Sequence, residues 1–267
     1  MRYPFIYQRA RATAGRALPV VAALGLALGV VSCKNETEAA PETGTDYYPV
    51  AVGNYWTYAV VDSTWSPAPP TPSTVTVSRY QFKETITAVL TDAAGQKAYR
   101  LVRAKQVPPA TAWRDDSVFV ITANEKFVKL NRDNKQTVEL VFPVRNDSTW
   151  NFNAFNNNSK DTITVKTRQY RKVGQPYTTG GGNSSLAAKE YSNTLTTRNI
   201  GSAAENSLLK SINYQQVFAK GVGPVFRRRT YFANYNYTNS QGTQVYVPGA
   251  YFTGFSRRET LVDYGPR

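Results

Sequence analysis

Turn signals recur at short intervals along most of this chain and leave little room for long helices. Glycine, proline, asparagine and aspartate cluster at Gly53-Asn54, at residues 92–95 and at residues 220–224. The segments between such clusters, for example Tyr55–Trp65, are rich in the aromatic and β-branched residues that favour strands. About ten to twelve strands at intervals of roughly eight to twelve residues predict an antiparallel all-β architecture. We therefore predict a mostly β fold: a single antiparallel curved sheet, half-barrel or barrel-like, with at most one or two short helices.

Three segments are predicted to depart from regular strands. Residues 203–211 contain alanine, glutamate, leucine and lysine, which favour helix, so a helix of one or two turns is predicted there. Residues 174–185 are rich in glycine, serine and threonine, which predicts a mobile loop. Asp115 and Asp116 precede an apolar run and are predicted to cap a turn.

The N-terminal segment resembles the signal peptide and lipobox of a bacterial lipoprotein. Residues 17–31 form an uncharged run of fifteen residues, which follows four arginines and ends two residues before Cys33. A membrane-spanning helix needs about 20 residues, so the short run and its basic flank are typical of a cleaved targeting segment. The resemblance implies cleavage before Cys33 and three acyl chains on that residue, which together give a stable anchor.

This resemblance divides the chain into a lipoprotein signal peptide at residues 1–32, a lipid anchor with a flexible linker at 33–46, and an antiparallel β domain at 47–267. Residues 34–46 carry no large apolar side chain, as is usual in flexible linkers. Lys34 stands where an aspartate would retain such a lipoprotein in the inner membrane. The resemblance therefore implies anchoring in the outer membrane. It does not determine whether the protein faces the periplasm or the cell surface.

Two short motifs in the predicted β domain carry a second resemblance. The chain reads Tyr-Pro at 48–49 and Gly-Asn-Tyr-Trp-Thr-Tyr at 53–58, and it reads Phe-Ala-Lys-Gly-Val-Gly at 218–223. With the lipobox, these motifs resemble uncharacterised bacterial outer-membrane lipoproteins, similar in outline to the half-barrel of lipoprotein carriers. The resemblance implies a fold and brings no catalytic or binding residue. Gly53, Gly221 and Gly223 suit tight turns, whereas Trp56 and Tyr58 share a strand face and suit the core.

The sequence lacks the residues that several kinds of catalytic and metal-binding site require. The chain contains no histidine, which excludes the usual Ser-His-Asp and Cys-His nucleophilic sites and histidine-ligated zinc. Its only cysteine is Cys33, and it has neither a phosphate-binding nor a dinucleotide-binding glycine motif. We predict no cofactor, no metal site and no enzymatic activity. A hydrolase with two carboxylates is a minor alternative, since acids such as Glu84, Glu139 and Glu259 are scattered along the predicted strands.

The chain is strongly basic, with a formal net charge of +14 at pH 7 and dense clusters at residues 227–229 and 257–258. Adjacent strand residues point to opposite faces, so the triple arginine is predicted not to form one continuous patch. No recognised nucleic-acid motif accompanies the charge, and we predict no nucleic-acid partner. Basic residues on a solvated strand face suit anionic lipid headgroups, at about 1 kcal/mol for each residue near the surface.

These observations predict a membrane-anchored envelope lipoprotein whose non-catalytic β domain binds an apolar ligand or a protein partner. The alternative is a surface glycan- or matrix-binding module. Rigid tyrosines beside amides are common on binding surfaces, and the C-terminal third combines asparagine and glutamine with Tyr231, Tyr235, Tyr237, Tyr246 and Tyr251.

Overall fold

A computed structural model describes residues 43–67, 72–92, 94–156, 166–182, 184–201 and 206–266. The predicted mostly β fold is confirmed, because these residues form one antiparallel sheet and a single short 3-10 turn at Thr45–Tyr47. The twelve strands are β1 Tyr55–Trp65, β2 Val75–Thr91, β3 Lys97–Gln106, β4 Arg114–Ala123, β5 Phe127–Arg132, β6 Lys135–Val141, β7 Thr149–Asn151, β8 Thr167–Thr179, β9 Lys189–Asn199, β10 Lys210–Ala219, β11 Gly223–Thr238 and β12 Gln244–Gly265. Cys33 and the predicted signal peptide lie outside the described residues.

The sheet follows the chain in a simple order. From one edge to the other, the strands run β6-β5-β4-β3-β2-β1-β12-β11-β10-β9-β8-β7. Consecutive strands pair with each other, except β6 and β7 at the two edges, and the first and last strands pair in the middle. The two edges also approach each other, because Val138 N donates to Phe152 O and Trp150 Nε1 donates to Val138 O, both at 2.8 Å. The sheet is therefore nearly closed into a barrel.

Aromatic side chains fill one end of the interior. Trp56, Tyr58 and Phe218 are each at most 1% exposed. The Tyr48 ring packs edge-on against Trp56 with ring centroids 5.7 Å apart, and it packs against Phe218 at 5.8 Å. Residues before the predicted domain boundary at 47 also contact this domain, since Val144 N, in the segment between β6 and β7, donates to Thr43 O at 3.1 Å. This end of the barrel is a packed core, because buried aromatic side chains contribute most of the apolar area.

The predicted helix at residues 203–211 is wrong in its described part. Asn206 and Ser211 form an isolated antiparallel bridge, and β10 begins at Lys210. Asn234 N of β11 donates to Leu209 O at 2.9 Å, so a hydrogen bond from the neighbouring strand holds this segment against the sheet. Helix propensity is a weak preference, and the pairing of the sheet overrides it here. Residues 202–205 lie outside the described part of the chain.

Two further local predictions are corrected. The predicted loop at 174–185 is strand over its first half, because β8 continues to Thr179, with Thr178 opposite Glu190 of β9. Asp115 and Asp116 lie within β4 and do not cap a turn, and Asp115 pairs with Ala104 of β3. In both cases a neighbouring long strand supplies the backbone hydrogen bonds that hold an otherwise poor strand former in the sheet.

Candidate functional site

The residues singled out by the sequence motifs serve packing and turn geometry. Trp56 Nε1 donates to Val222 O at 2.6 Å, and Tyr58 OH donates to Pro224 O at 3.0 Å. Gly223 has φ +102°, and a Cβ at this position would lie 2.9 Å from Trp56 Nε1. The first strand is thus tied to the hairpin between β10 and β11. The other two glycines of the motifs, Gly53 and Gly221, occupy turns with φ of +94° and +72°.

Next to the aromatic end, the interior contains a network of buried charges that we call the central network: Glu84, Arg103, Arg227 and Glu259. Arg227 Nη1 and Nη2 donate to the two carboxylate oxygens of Glu84 at 3.1 and 3.0 Å. Arg227 Nη1 also donates to Glu259 at 3.0 Å, and Arg103 Nε donates to Glu84 at 3.1 Å. Each of the four residues is at most 6% exposed. The two carboxylates and two guanidiniums balance in charge.

The arginines keep both carboxylates of the central network ionised. Burial alone would raise the pKa of Glu84, but the charges of Arg227 and Arg103 outweigh it and hold this pKa far below its usual range. Burial is likewise outweighed at Glu259, where Arg227 and Arg229 contribute most, and the pKa is about 2. Neither carboxylate carries a proton at neutral pH. We therefore regard the central network as structural.

Positive charge is in excess further along the same interior, around Arg132 of β5 and Arg229 of β11. The nearby Glu139 is held by hydrogen bonds from Thr137 Oγ1 at 2.6 Å and Gln216 Nε2 at 3.0 Å. Within the described residues, no salt bridge joins Arg132 or Arg229 to an acid. The buried Arg132 Nε has no hydrogen-bond partner in that part of the chain.

The surroundings penalise the charge on both of these arginines. Burial is the main cause that lowers the pKa of Arg132 to about 10, and repulsion from Arg229 adds to it. Burial also lowers the pKa of Arg229. Both guanidiniums still carry their charge at neutral pH, so the fold maintains two poorly neutralised cations in its interior. Such an arrangement costs stability, which makes it a candidate for a functional site.

A cavity of about 250 Å³ lies beside these two arginines, and we call it the basic pocket. Cations reach it from several strands and from the segment before β8. Among the described residues, Asp133 is the one carboxylate in its lining. The remaining polar and aromatic lining comes from Thr137, Gln216, Phe152 and Tyr214, and the cationic residues are Arg132, Lys135, Lys166, Arg168, Arg228 and Arg229. The pocket can therefore hold an anion by charge and by several hydrogen-bond donors.

Strand pairing builds the basic pocket. Arg132 lies directly opposite Lys135 across the β5–β6 hairpin, and Tyr214 lies opposite Arg229 across β10 and β11. Like charges directly opposite each other destabilise a sheet, so the first pair is unfavourable without a bound anion. The Arg168 guanidinium packs over the Phe152 ring at 4.1 Å and over the Tyr214 ring at 5.0 Å, which restrains its orientation.

A second cavity of about 470 Å³ adjoins the same two side chains, Tyr214 and Arg229. Its other lining residues include Phe255, Arg257 and Asp62. Arg257 Nε donates to Asp62 Oδ2 at 3.2 Å, so the charge of Arg257 is already neutralised. Arg229 therefore lies between the two cavities and, unlike Arg257, forms no salt bridge with an acid among the described residues.

The sequence predictions missed this site because its residues are far apart in the chain. The predicted split of the triple arginine is confirmed, since Arg227 is buried in the central network while Arg228 is exposed. Glu84 and Glu259 were expected to be scattered, whereas the closing sheet brings them to one arginine. A local signal did exist, because Glu84 lies on the same face of β2 as the buried Phe82 and Ile86. A charged residue on the apolar face of a strand indicates a buried partner of opposite charge.

Among the described residues, no group of three or more histidine, cysteine, aspartate or glutamate side chains is placed to hold a metal ion. In the same ranges, no helix is long and apolar enough to cross a membrane. Comparison of the chain with protein-family models, with curated proteins and with solved structures finds no match.

Proposed function

We propose that this chain is a non-catalytic binding protein of the cell envelope, tethered by lipid on Cys33, and that its basic pocket holds a small anionic ligand. One observation supports the ligand class above all others. Arg132 and Arg229 face a cavity that is also lined by four further cations, and neither of them forms a salt bridge with an acid among the described residues. The tether rests on the lipobox resemblance of residues 17–33.

The lining favours a phosphate or carboxylate over an apolar group. Guanidinium groups donate in a planar fork that matches both kinds of anion. Tyr214 and Gln216 add a hydroxyl and an amide beside the arginines, so they suit a ligand that also carries polar groups. The apolar ligand predicted from the sequence has less support, because charged side chains surround both interior cavities at Arg229. Desolvating those charges against a lipid chain would be costly.

Binding is tested by thermal unfolding of the full chain in detergent, with inorganic phosphate, pyrophosphate or galacturonate added at constant ionic strength. A ligand at one hundred times its Kd stabilises a protein by about 2.7 kcal/mol. For a domain of this size that corresponds to a rise in Tm of about 5–10 °C. We expect at least one of the three anions to produce such a rise and an equal concentration of chloride to produce none.

Two residues on neighbouring strands provide matched variants. Arg229→Gln removes a cation from the basic pocket, whereas Arg258→Gln removes an exposed cation of β12 that does not line this pocket. We expect the anion-dependent rise in Tm to disappear in Arg229→Gln and to persist in Arg258→Gln. Equal losses in both variants, or no response of the unmodified protein to any of the three anions, would overturn the proposed ligand class.

The tether has its own test. Metabolic labelling with radioactive palmitate should mark the protein, and Cys33→Ser should abolish the label. An unlabelled protein recovered at its full uncleaved mass would refute the tether and leave the anion-binding measurements unaffected.

A further inference from the structure

The outer face of the sheet carries a second basic feature, which shares Arg228 with the basic pocket but is otherwise lined by different residues. Arg198 of β9 lies opposite Gln215 of β10, Gln215 lies opposite Arg228 of β11, and Arg228 lies opposite Arg258 of β12. Directly opposite residues share a face of the sheet. With neighbouring strands about 4.8 Å apart, this row of four side chains spans about 14 Å. All three arginines of the row are exposed.

A groove runs along this row, and we call it the outer groove. It consists of two cavities of about 570 and 460 Å³, and Tyr177 of β8 lines both of them. The first cavity holds Arg198 with Lys172 and the second holds Arg228 with Arg258. The Tyr177 ring packs against Phe226 with ring centroids 5.8 Å apart. The groove therefore has cations towards both ends and an anchored aromatic ring where its two cavities meet.

Hydrogen-bonding groups that suit hydroxyls line the rest of the outer groove. Asn146, Asn213 and Gln215 present amides in the first cavity. Ser63, Ser184 and Ser256 present hydroxyls in the second. Amides and hydroxyls beside an aromatic ring can bond the many hydroxyl groups of a sugar, because each of them can act as donor or acceptor.

The cations of the outer groove lack counter-charges. Arg228 and Arg258 are like charges directly opposite each other, a placement that destabilises a sheet. In the ranges that the structure describes, no salt bridge joins Arg198, Arg228 or Arg258 to an acid. Of the residues that the structure describes, Asp147 is the one carboxylate that lines either cavity, and it is already paired with Arg171. A bound anion would remove this repulsion.

We propose that the outer groove binds an acidic polysaccharide laid across strands β9 to β12. Its anionic groups would contact Arg198 at one end and the Arg228–Arg258 pair at the other, and a sugar ring would lie near Tyr177. The groove has arginines towards both ends and polar and aromatic groups between them. This arrangement matches a polymer that carries negative charges at regular intervals. The groove is walled by Thr178, Gly180 and Ser184 of the β8–β9 hairpin, which favours a single chain over a flat membrane surface. This inference does not depend on a ligand in the basic pocket.

The test measures binding of defined polymers to the immobilised full chain by biolayer interferometry. The probes are polygalacturonate, chondroitin sulfate and neutral dextran, with vesicles containing phosphatidylglycerol as a separate arm. We expect one of the acidic polymers to bind and dextran not to bind. Arg228→Gln and Arg258→Gln should each weaken that binding about tenfold or more, and Tyr177→Ala should weaken it as well. Binding should fall as salt concentration rises, because it depends on charge.

Two control variants separate polymer binding in the outer groove from binding in the basic pocket and from general attraction to a basic surface. Arg229→Gln lies one residue away and lines the interior, so it should leave polymer binding unchanged. Arg100→Gln removes an exposed arginine of β3 that does not line the outer groove, so it too should have no effect. Equal weakening by Arg100→Gln and Arg228→Gln, or binding of vesicles but of neither acidic polymer, would overturn the inference. Because Arg229→Gln affects only the basic pocket, failure of the proposed function would be seen separately.

Discussion

Arg227→Met tests the view that the central network is structural, and the structure sets the size of the effect. Arg227 makes three hydrogen bonds of 3.0–3.1 Å to two buried carboxylates. In the variant Glu84 keeps its contact with Arg103, but Glu259 has no other salt bridge within the described residues. Removing one partner of a buried ion pair costs about 3–5 kcal/mol, because the remaining charge stays buried without compensation. We expect the free energy of unfolding to fall by about that amount at pH 7.

The loss should also depend on pH. In the folded protein the pKa values of Glu84 and Glu259 lie below their ordinary value, with Glu259 at about 2. Groups with a depressed folded pKa contribute stability above their unfolded pKa of about 4.3, and that contribution is lost as pH falls towards the folded value. In Arg227→Met, Glu259 loses the charge that most lowers its pKa, so burial raises this pKa and protonation at lower pH relieves the cost of burying the carboxylate. The difference between the two proteins should therefore shrink progressively as pH falls from 7 towards 2.

Equilibrium urea unfolding, followed by tryptophan fluorescence to which the buried Trp56 contributes, measures this difference. Arg228→Met is the matched control, because its side chain is exposed one residue away and should change stability by no more than about 0.5 kcal/mol. A loss below about 1 kcal/mol for Arg227→Met at pH 7, or a loss that is constant from pH 7 to pH 3, would refute the reasoning.

Three further outcomes are expected. Gly223→Ala should lower Tm well below that of Gly221→Ala, because both glycines have positive φ but only at Gly223 would a Cβ approach Trp56, at 2.9 Å from Nε1; similar Tm values would contradict this packing. Arg132→Gln should lower the free energy of unfolding by about 1 kcal/mol in ligand-free buffer, because the charge of Arg132 is the main one that offsets the burial of Glu139; a urea titration that shows no loss would contradict the account of the basic pocket. Trp56→Phe should lower the free energy of unfolding by about 1–3 kcal/mol, since it removes both packed area and the hydrogen bond to Val222 O. Calorimetry that finds no change would contradict a stabilising role for that hydrogen bond.

The three consecutive arginines show how strand geometry separates roles within one short segment. Arg227 belongs to the central network, Arg228 lines the outer groove and also the basic pocket, and Arg229 lines the basic pocket but not the outer groove. Arg227 and Arg229 lie on one face of β11 because side chains repeat every two residues. They differ because Arg227 reaches Glu84 and Glu259, whereas no acid forms a salt bridge with Arg229 in the described part of the chain. Substitutions of Arg227 and Arg229 therefore probe stability and the basic pocket separately, and Arg258→Gln probes the outer groove without changing the lining of the basic pocket.

Much of the fold was predictable because strand formation depends on local composition. β1 has the predicted bounds Tyr55–Trp65, and the hairpin around Gly221 and Gly223 lies where the turn signals indicated. The predictions failed where pairing with a distant strand outweighed local preference, as at residues 206–211, where hydrogen bonds to neighbouring segments replace a helix. Local propensity amounts to less than about 1 kcal/mol per residue for ordinary side chains, so tertiary contacts readily override it.

By itself, the sequence determined the antiparallel β class, the alternation that splits the triple arginine, and the absence of histidine and of any thiol beyond Cys33. Only the tertiary structure decided which inward charges meet. Glu84 and Arg227 are 143 residues apart in the chain and form a buried ion pair at 3.0 Å. The curvature that brings side chains of β2 and β11 together depends on the register of every strand between them. No local segment of the sequence determines all of these registers.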